Sequence, residues 1–418
     1  MTLLADLLST VFERRHRRDA PEAEDGRPLT ELADALIGSA GETSGLALAD
    51  EILTRFAAME DAEKLEFFRY LANAMNIDPE AVRTTLDNYE RMPAKASYRA
   101  FAAAAEPPRQ ELIRRLNRLP GATGALVKMR ADLLRLGRDE PELAALDLDF
   151  RHLLSSWFNR GFLVLRPINW ESPAHILEKI IAYEAVHAID SWDELRRRLE
   201  PTDRRCFAFF HPAMPDEPLI FVEVALSVGI PTSVQTVLAQ DRAILPAVQA
   251  DTAVFYSISN CQAGLASISF GNSLIKQVAS DLSTELPGLG TFVTLSPIPG
   301  LMAWLCEMDM ADKADYHDQI KEVAAHYLMH AKSRNGLPDD PVARFHLGNG
   351  ALLHAVHADA DTSDKGQAQS AGAMVNYLYD LAQIERNHEA FANTQQVAAS
   401  AGIVQLATAA KLPENHKG

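Results

Sequence analysis

A serine and a histidine stand in two short motifs that suit proton transfer. Ser296 follows the β-rich run 291–295 and precedes Pro297-Ile-Pro-Gly300, whose prolines end the strand and stiffen its exit. His346 lies in Arg344-Phe-His-Leu-Gly-Asn-Gly350, where the glycines predict a loop. A hydroxyl at the carboxyl end of a strand can hydrogen-bond a ligand, and an imidazole with an ordinary pKa of ~6.5 exchanges protons near neutral pH. Taken alone, neither residue is diagnostic, since Ser296 lacks a G-x-S-x-G elbow and His346 is one of 13 histidines.

A strand, a turn and a helix are predicted between residues 255 and 276. The strand leads through Gly264 into small residues, and the N–H groups at the start of the following helix could bind phosphate oxygens. Gly264, Ala266 and Gly271 leave room for a ligand, and Gly264 can take a positive φ. Neither a Walker loop nor G-x-G-x-x-G is present. Two interpretations stay open, an anion-binding turn and a tight strand-to-helix connection.

Two other clusters of polar residues could bind ligands. His354, His357 and Asp361 offer metal ligands, but the histidine spacing misses the i, i+4 geometry of helical zinc sites, which favours a solvated surface segment. The arginine run 196–198 with Arg204 and Arg205 could bind phosphate. Acidic residues interleave that run, so a solvated face is the favoured interpretation.

The elements that must position these residues change in character along the chain. Residues 26–155 show helical periodicity, with Asp78 and Pro79 as the cap and first residue of one helix, and predict a helical assembly domain. Residues 156–410 alternate strands with helices and predict a mixed α/β domain, whose chain returns to helix after His346. A polar tail follows at 411–418. The predicted strands are 161–165, 206–210, 219–226, 253–259 and 291–295, and the predicted helices between them are 173–185, 192–199 and 273–286.

Composition limits the class of protein. The chain has 418 residues, of which 47% are hydrophobic and 23% charged, so a folded protein with two domains, or with one domain and a large insertion, is expected. A net charge of -17 argues against broad binding to nucleic acid or anionic membranes. No apolar run approaches the ~20 residues that cross a bilayer, so no membrane association is expected.

The location of the protein is predicted from its cysteines and ends. Three widely spaced cysteines form no C-x-x-C pair, which favours a reducing compartment and argues against a cysteine zinc site. Residues 1–25 begin with an amphipathic, arginine-containing stretch that also carries acidic residues. We interpret it as a helix or flexible segment of the mature protein and expect a cytoplasmic location, with the mitochondrial matrix as the alternative. A peroxisomal S-K-L ending is not expected, since the chain ends in Asn415-His-Lys-Gly418.

Six motifs in order resemble the malonyl-CoA decarboxylase family, from about residue 45 almost to the C-terminus. They are Trp157-Phe-x-x-Gly161-Phe-Leu, Arg204-Arg-Cys-Phe-x-Phe-Phe-His211-Pro, Pro218-Leu-x-x-x-x-Val-Ala-Leu226, Phe255-Tyr-Ser-Ile-Ser, Leu295-Ser-Pro-Ile-Pro-Gly300 and Phe345-His-Leu-x-Asn-Gly350. The resemblance implies an all-helical N-terminal domain followed by a mixed α/β domain like that of GNAT-type acetyltransferases. In that fold two central strands splay apart and acyl-CoA occupies the gap.

The resemblance also implies the site residues. Ser296 and His346 match the family's catalytic serine, a proton acceptor, and histidine, a proton donor. Ser269 departs from the pattern, since relatives carry a glutamate there. The residues expected to contact malonyl-CoA are this catalytic pair and the residues of the turn, Gly264, Ala266, Ser267, Ile268, Ser269, Phe270, Gly271 and Asn272.

The implied reaction converts malonyl-CoA to acetyl-CoA and carbon dioxide. Because no metal, biotin or thiamine site is visible in the sequence, we expect chemistry without a cofactor or metal. Ser296 would stabilise the thioester oxyanion or orient the carboxylate, and His346 would protonate the product carbon. A homo-oligomer assembled through the helical domain is also expected. The alternatives are an acyl-CoA-dependent acyltransferase and an inactive acyl-CoA-sensing module.

Overall fold

The structure is a computed structural model that describes residues 26–268, 274–310, 312 and 316–412. The predicted N-terminal segment 1–25 and residues 413–418 of the predicted tail lie outside the described residues. The chain divides into two compact units. The first comprises residues 26–164, 210–218 and 262–268, and the second comprises 165–209, 219–261 and the described residues from 274 onward.

Helices form most of the first unit. Asp78 caps one of them by accepting a hydrogen bond from the Glu80 N–H, with Pro79 at the first helical position, as predicted. A predicted apolar face is also present, since Phe68, Leu71 and Met75 are buried in the core of the unit. The helices α1 to α8 are Leu29–Gly38, Glu42–Ala58, Asp61–Asn73, Pro79–Arg91, Lys95–Ala104, Pro108–Leu116, Ala122–Leu136 and Ala144–Trp157.

The second unit combines a mixed sheet with helices. Its strands β1 to β8 are Val164–Ile168, Arg204–Phe210, Ile220–Ser227, Thr252–Asn260, Thr291–Thr294, Ser296–Pro297, Leu352–His357 and Met374–Leu378. Its helices α9 to α18 are Ala174–Tyr183, Trp192–Leu199, Val234–Leu238, Leu274–Glu285, Leu301–Glu307, Ile320–His330, Pro341–Gly348, Asp364–Ser370, Ile384–Thr394 and Ala401–Ala409.

The sheet diverges at its parallel pair. Its order is β1-β2-β3-β4-β5-β8-β6, with β7 paired to β8. Strands β4 and β5 pair in parallel from Thr252 with Thr291 to Phe255 with Thr294. The pairs β2–β3, β3–β4, β5–β8, β6–β8 and β7–β8 are antiparallel. Beyond Phe255 the second half of β4 continues without β5, because the chain leaves β5 after Thr294 and joins β8 through β6. Both strands therefore present their carboxyl ends to an opening between them.

The predicted fold class, a helical region followed by a mixed α/β region, is confirmed. Two local predictions are wrong. The chain after His346 forms strands β7 and β8 between its helices, and residues 160–162 form a 3₁₀ turn ahead of β1. The predicted domain boundaries stay a prediction. None of the helices in the described part of the chain has the length and apolar character that a membrane crossing requires.

Candidate active site

Ser296 lies where the chain leaves the parallel pair. It is the first residue of β6, pairs with Val375 of β8, and is 5% exposed. Its hydroxyl donates to the Thr294 hydroxyl over 2.8 Å. The Thr294 hydroxyl also accepts the Tyr377 N–H over 3.1 Å, so its position is set by the backbone of β8. The sheet thus fixes the Ser296 side chain at the diverging edge.

His346 lies in a helix, so the predicted loop is wrong. Asp340 caps α15 by accepting the N–H groups of Val342 and Ala343, both over 2.9 Å, and Pro341 occupies its first position. Local capping therefore outweighs the glycines that predicted a loop. One of them, Gly350, follows the helix with a φ of 83°, where a Cβ atom would meet the Ile384 carbonyl oxygen at 2.1 Å.

The two predicted catalytic side chains meet directly. His346 Nε2 lies 3.2 Å from Ser296 Oγ, and His346 Nδ1 lies 2.7 Å from the Tyr379 hydroxyl oxygen. The imidazole stacks on the Tyr377 ring, with centroids 4.4 Å apart and planes inclined by 24°. Both ring nitrogens and one ring face are held, so the imidazole has one defined orientation.

Burial sets the charge of His346. The side chain is 3% exposed, and this desolvation lowers its pKa to about 3. The expectation of an ordinary imidazole pKa is therefore wrong, and the ring is neutral at neutral pH. Burial also raises the pKa of Tyr379 well above its ordinary value, so the phenol keeps its proton.

These protonation states define a direction for the hydrogen bonds. Among the described residues, Nδ1 of His346 is the acceptor available to the buried Tyr379 O–H, and leaving that donor unpaired would cost about 1–3 kcal/mol. Tyr379 therefore donates to Nδ1, and the proton of the neutral ring sits on Nε2. The Nε2–H group in turn faces Ser296 Oγ, whose O–H donates a hydrogen bond to the Thr294 hydroxyl.

A cavity of about 240 Å³ opens beside the pair. It is bounded by the divergent half of β4 on one side and by β6 and α15 on the other. Among the described residues that line it there is no Asp, Glu, Lys or Arg. The lining residues are Val186, Phe255, Tyr256, Ile258, Asn260, Ser296, Pro297, Pro341, Val342, Phe345 and His346.

The predicted substrate-binding turn is described in part. Gly264 lies in a 3₁₀ turn, Ala266, Ser267 and Ile268 follow it, and Ser267 takes a φ of 63°. The N–H groups of Ala266 and Ile268 donate to the carbonyls of Ala263 and Leu265, over 3.1 Å each, and are not free for phosphate. The other predicted contacts, Ser269, Phe270, Gly271 and Asn272, lie outside the described residues.

Close packing against helix α7 explains why position 264 is a glycine, which the sequence did not indicate. Its φ is not positive, and a Cβ atom on it would lie 1.8 Å from the Val127 carbonyl oxygen of α7. Arg130 of the same helix donates to the carbonyls of Gly264 and Ala266, over 2.7 and 3.0 Å, and pairs with Asp147. Helix packing therefore accounts for glycine here, and the turn does not use the positive φ that glycine permits.

The histidine pair that offered metal ligands lies on β7. His354 and His357 are partly buried, and His357 Nε2 hydrogen-bonds Asn376 Oδ1, so the predicted surface segment is wrong. Among the residues that the structure describes, no three His, Cys, Asp or Glu side chains are grouped to hold a metal ion.

Sequence reasoning missed Tyr379, Tyr377 and Thr294. The signal was the apolar and aromatic run Met374-Val-Asn-Tyr-Leu-Tyr379, which is typical of a strand buried on both faces. The helix predicted after His346 concealed it.

Comparisons with known proteins agree on one family. The profile described as "Malonyl-CoA decarboxylase C-terminal domain" matches residues 161–317 and 307–417, and the profile for the N-terminal domain of that family matches 75–158. The mitochondrial malonyl-CoA decarboxylase of Rattus norvegicus is 30% identical over 410 residues, which cover 83% of this chain and 82% of the rat protein.

Solved structures give the same result. The malonyl-CoA decarboxylase of Rhodopseudomonas palustris is 46% identical, with a TM-score of 0.87 over 92% of this chain and 100% of that one. The malonyl-CoA decarboxylase of Agrobacterium vitis is 48% identical, with a TM-score of 0.84 over 90% of this chain and 99% of that one.

Proposed function

The chain belongs to the malonyl-CoA decarboxylase family, and we propose that it converts malonyl-CoA to acetyl-CoA and carbon dioxide with Ser296 and His346 as its catalytic pair. The observation that carries the proposal is the 3.2 Å contact between Ser296 Oγ and His346 Nε2 at the wall of a cavity. The malonyl group carries a carboxylate that leaves as neutral carbon dioxide, and its electron pair stays on the thioester as an enolate. The enzyme must therefore stabilise this enolate and then protonate its carbon.

Ser296 serves the first task. When the carboxylate leaves, its electrons form an enolate whose negative charge lies largely on the thioester oxygen. The Ser296 O–H, now donated to Thr294, can turn to that oxygen, because Thr294 keeps the Tyr377 N–H as a partner. A hydrogen-bond donor positioned in this way stabilises the transition state by about 3–4 kcal/mol.

His346 and Tyr379 serve the second task. The Nε2–H proton moves to the enolate carbon while Nδ1 takes the Tyr379 proton, so the imidazole is neutral before and after the step. The tyrosinate then recovers a proton from solvent when product leaves. An imidazole with a pKa of about 3 does not carry a second proton at neutral pH. The proton that His346 gives to the substrate must therefore be replaced by another group, and the phenol of Tyr379 supplies it.

The lining of the cavity favours decarboxylation over acyl transfer. The described lining residues include no Lys or Arg that could stabilise a carboxylate. The substrate carboxylate is therefore destabilised in the cavity, and its loss as neutral carbon dioxide is favoured. The described lining residues also include no Asp or Glu to deprotonate an acceptor amine. Incubation with malonyl-CoA alone tests this proposal, because acetyl-CoA and carbon dioxide should form without any acceptor. Malonyl-CoA that stays intact until an amine is added would overturn it.

For the substrate, we propose contacts with the turn from Gly264 to Asn272, as the family resemblance implies. The N–H groups already used by Ala266 and Ile268 leave phosphate binding to other groups of that turn or its surroundings.

A homo-oligomer through the helical domain is proposed on the basis of α4 and α5. Of the residues in these two helices only Ser97 is buried. Tyr89 packs against Tyr98 and Phe101, while Tyr98 and the neighbouring Met92 remain 59% and 63% exposed. A second copy of the chain would cover this apolar surface.

A reducing compartment is proposed for the protein. Cys206, Cys261 and Cys306 form no disulfide with one another, which suits the cytoplasm or the mitochondrial matrix. The rat relative carries "mitochondrial" in its name, which supports the second of these.

A further inference from the structure

The arginine run between 196 and 205 does not form the predicted solvated face. Arg198 and Arg204 are buried, at 3% and 5% exposure, in the second unit. Arg196 does point to solvent, where it pairs with Glu200 and lies over the Trp170 ring. The run therefore divides into exposed and inward-facing members, because Arg198 shares the buried face of α10 with Leu195 and Leu199, and successive residues of β2 point to opposite faces of the sheet.

The inward-facing members meet at a cavity of about 220 Å³. Arg197, Arg198, Arg204 and Arg242 line it, with Glu194 as the one acidic residue in the described lining. It lies beside the first residue of β2, whereas the catalytic cavity follows the second half of β4. The two cavities share no described lining residue, so this arginine pocket is separate from the catalytic site.

Part of the positive charge in the pocket is already paired. Arg198 donates to Glu194 and to Glu223, and Arg242 binds both oxygens of Asp203. The same carboxylate lies 3.6 Å from Arg204, whose guanidinium otherwise donates to backbone carbonyls. Four guanidinium groups thus face three carboxylates, which leaves one positive charge in excess.

Two side chains that line the pocket carry donors without an acceptor. Nε of Arg198 is buried without a hydrogen-bond partner. Arg197 is half-buried and helps to lower the pKa of Glu194 through its charge, but it makes no hydrogen bond or close ion pair with any residue that the structure describes. An unpaired buried N–H of a charged group is costly, and native proteins usually satisfy it. Burial also lowers the pKa of the Arg204 guanidinium, a cost that an anion in the cavity would offset.

We propose that the arginine pocket binds a phosphate group, either inorganic phosphate or a small phosphomonoester. Guanidinium groups bind phosphate with paired, charge-assisted hydrogen bonds, and a tetrahedral anion offers enough acceptor oxygens for both Arg197 and Nε of Arg198. The cavity is larger than a phosphate ion needs, which leaves space for a short organic group. Arg198 also holds the carbonyls of His187 and Ala188, next to Val186 in the lining of the catalytic cavity.

Calorimetric titration of the full chain tests the proposal. Inorganic phosphate and glycerol phosphate are titrated separately into the wild type, Arg197→Ala and Arg196→Ala. The last variant is the matched control, because it removes the same charge from the adjacent position, whose side chain does not line the pocket. Arg197 makes no hydrogen bond in the described structure and acts on Glu194 only through its charge, so its variant should fold normally, which the melting temperature checks.

Saturable binding of one phosphate per chain is expected for the wild type and Arg196→Ala, with affinity about tenfold or more weaker in Arg197→Ala. Tighter binding of glycerol phosphate than of inorganic phosphate would identify a phosphomonoester as the ligand, and the reverse order would identify the free ion. Equal phosphate affinity in Arg197→Ala and the wild type, or no saturable binding to the wild type, would overturn the proposal.

Discussion

The Tyr379 hydroxyl lies 2.7 Å from Nδ1 of His346, on the side of the imidazole away from Ser296. In the proposed mechanism this contact keeps the ring proton on Nε2 and supplies the proton that replaces it. Replacing Tyr379 with Phe should therefore lower kcat by about 10²-fold with little change in KM, because binding does not use the hydroxyl.

The matched control is Tyr377→Phe. That hydroxyl is buried without a partner, while its ring stacks on His346 and would remain. Removing it should leave kcat nearly unchanged. If both variants lost activity equally, Tyr379 would act through packing and the relay would be wrong.

The pH profile of kcat reports the charge of His346. Burial lowers its pKa from 6.5 to about 3, so the neutral form that the mechanism uses persists down to about pH 4. We expect no loss of kcat near pH 6.5 from titration of this imidazole, measured between pH 5 and 8. A falling limb at pH 6–7 in the wild type would contradict a neutral His346.

The same shift has a consequence for stability. Unfolded His346 takes up a proton below pH 6.5 whereas the folded protein does not, so its contribution destabilises the fold as pH falls toward 3. At pH 5 this contribution amounts to about 2 kcal/mol. The free energy of unfolding should thus fall less between pH 7 and 5 in His346→Asn than in the wild type, as chemical denaturation can measure. Parallel pH dependence in both would argue against the shift.

Gly264→Ala should destabilise the protein without any ligand present. Its new methyl group would lie 1.8 Å from the Val127 carbonyl oxygen, and overpacking of this kind typically costs about 1–3 kcal/mol. Gly124→Ala in α7 is the control, since its methyl group would lie 3.7 Å from Met214, an ordinary contact. That variant should gain up to about 1 kcal/mol from helix propensity. Equal melting temperatures for the two variants would show that Gly264 is not required for packing.

Tyr98→Glu should weaken the proposed assembly through α4 and α5. A charge at this exposed aromatic position would be buried in the interface, whereas Leu148→Glu introduces the same charge at a residue that is 62% exposed on α8. Light scattering after size-exclusion chromatography should show a smaller particle for Tyr98→Glu only. An unchanged mass for that variant would place the interface elsewhere.

Much of this architecture could be predicted from the sequence because its signals are local. Asp78 with Pro79, and the apolar face through Phe68 and Met75, depend on neighbours within a few turns. The helix around His346 was missed because its cap, Asp340, was not weighed against the glycines that follow. Gly264 could not be interpreted correctly, since Val127 contacts it from a helix more than a hundred residues away in sequence.

The candidate site shows the same limit. Family motifs identified Ser296 and His346, but the pKa of the imidazole depends on burial, and its partner Tyr379 directly follows β8, a strand that was predicted as helix. The sequence predicted that a protonated His346 delivers its proton to the substrate. Because burial keeps this imidazole neutral, the proposed mechanism is instead a proton relay from Tyr379 through His346.

The most direct test of the catalytic pair is carbon dioxide release from malonyl-CoA by the wild type, Ser296→Ala, His346→Asn and the double variant. Because the two side chains contact each other and act in one step, each single variant should lower kcat by about 10³-fold or more, and the double variant should lose little beyond that. Coenzyme A binding, measured alongside, should be retained. Near-normal release by either single variant, with the protein folded, would contradict the assignment of that residue.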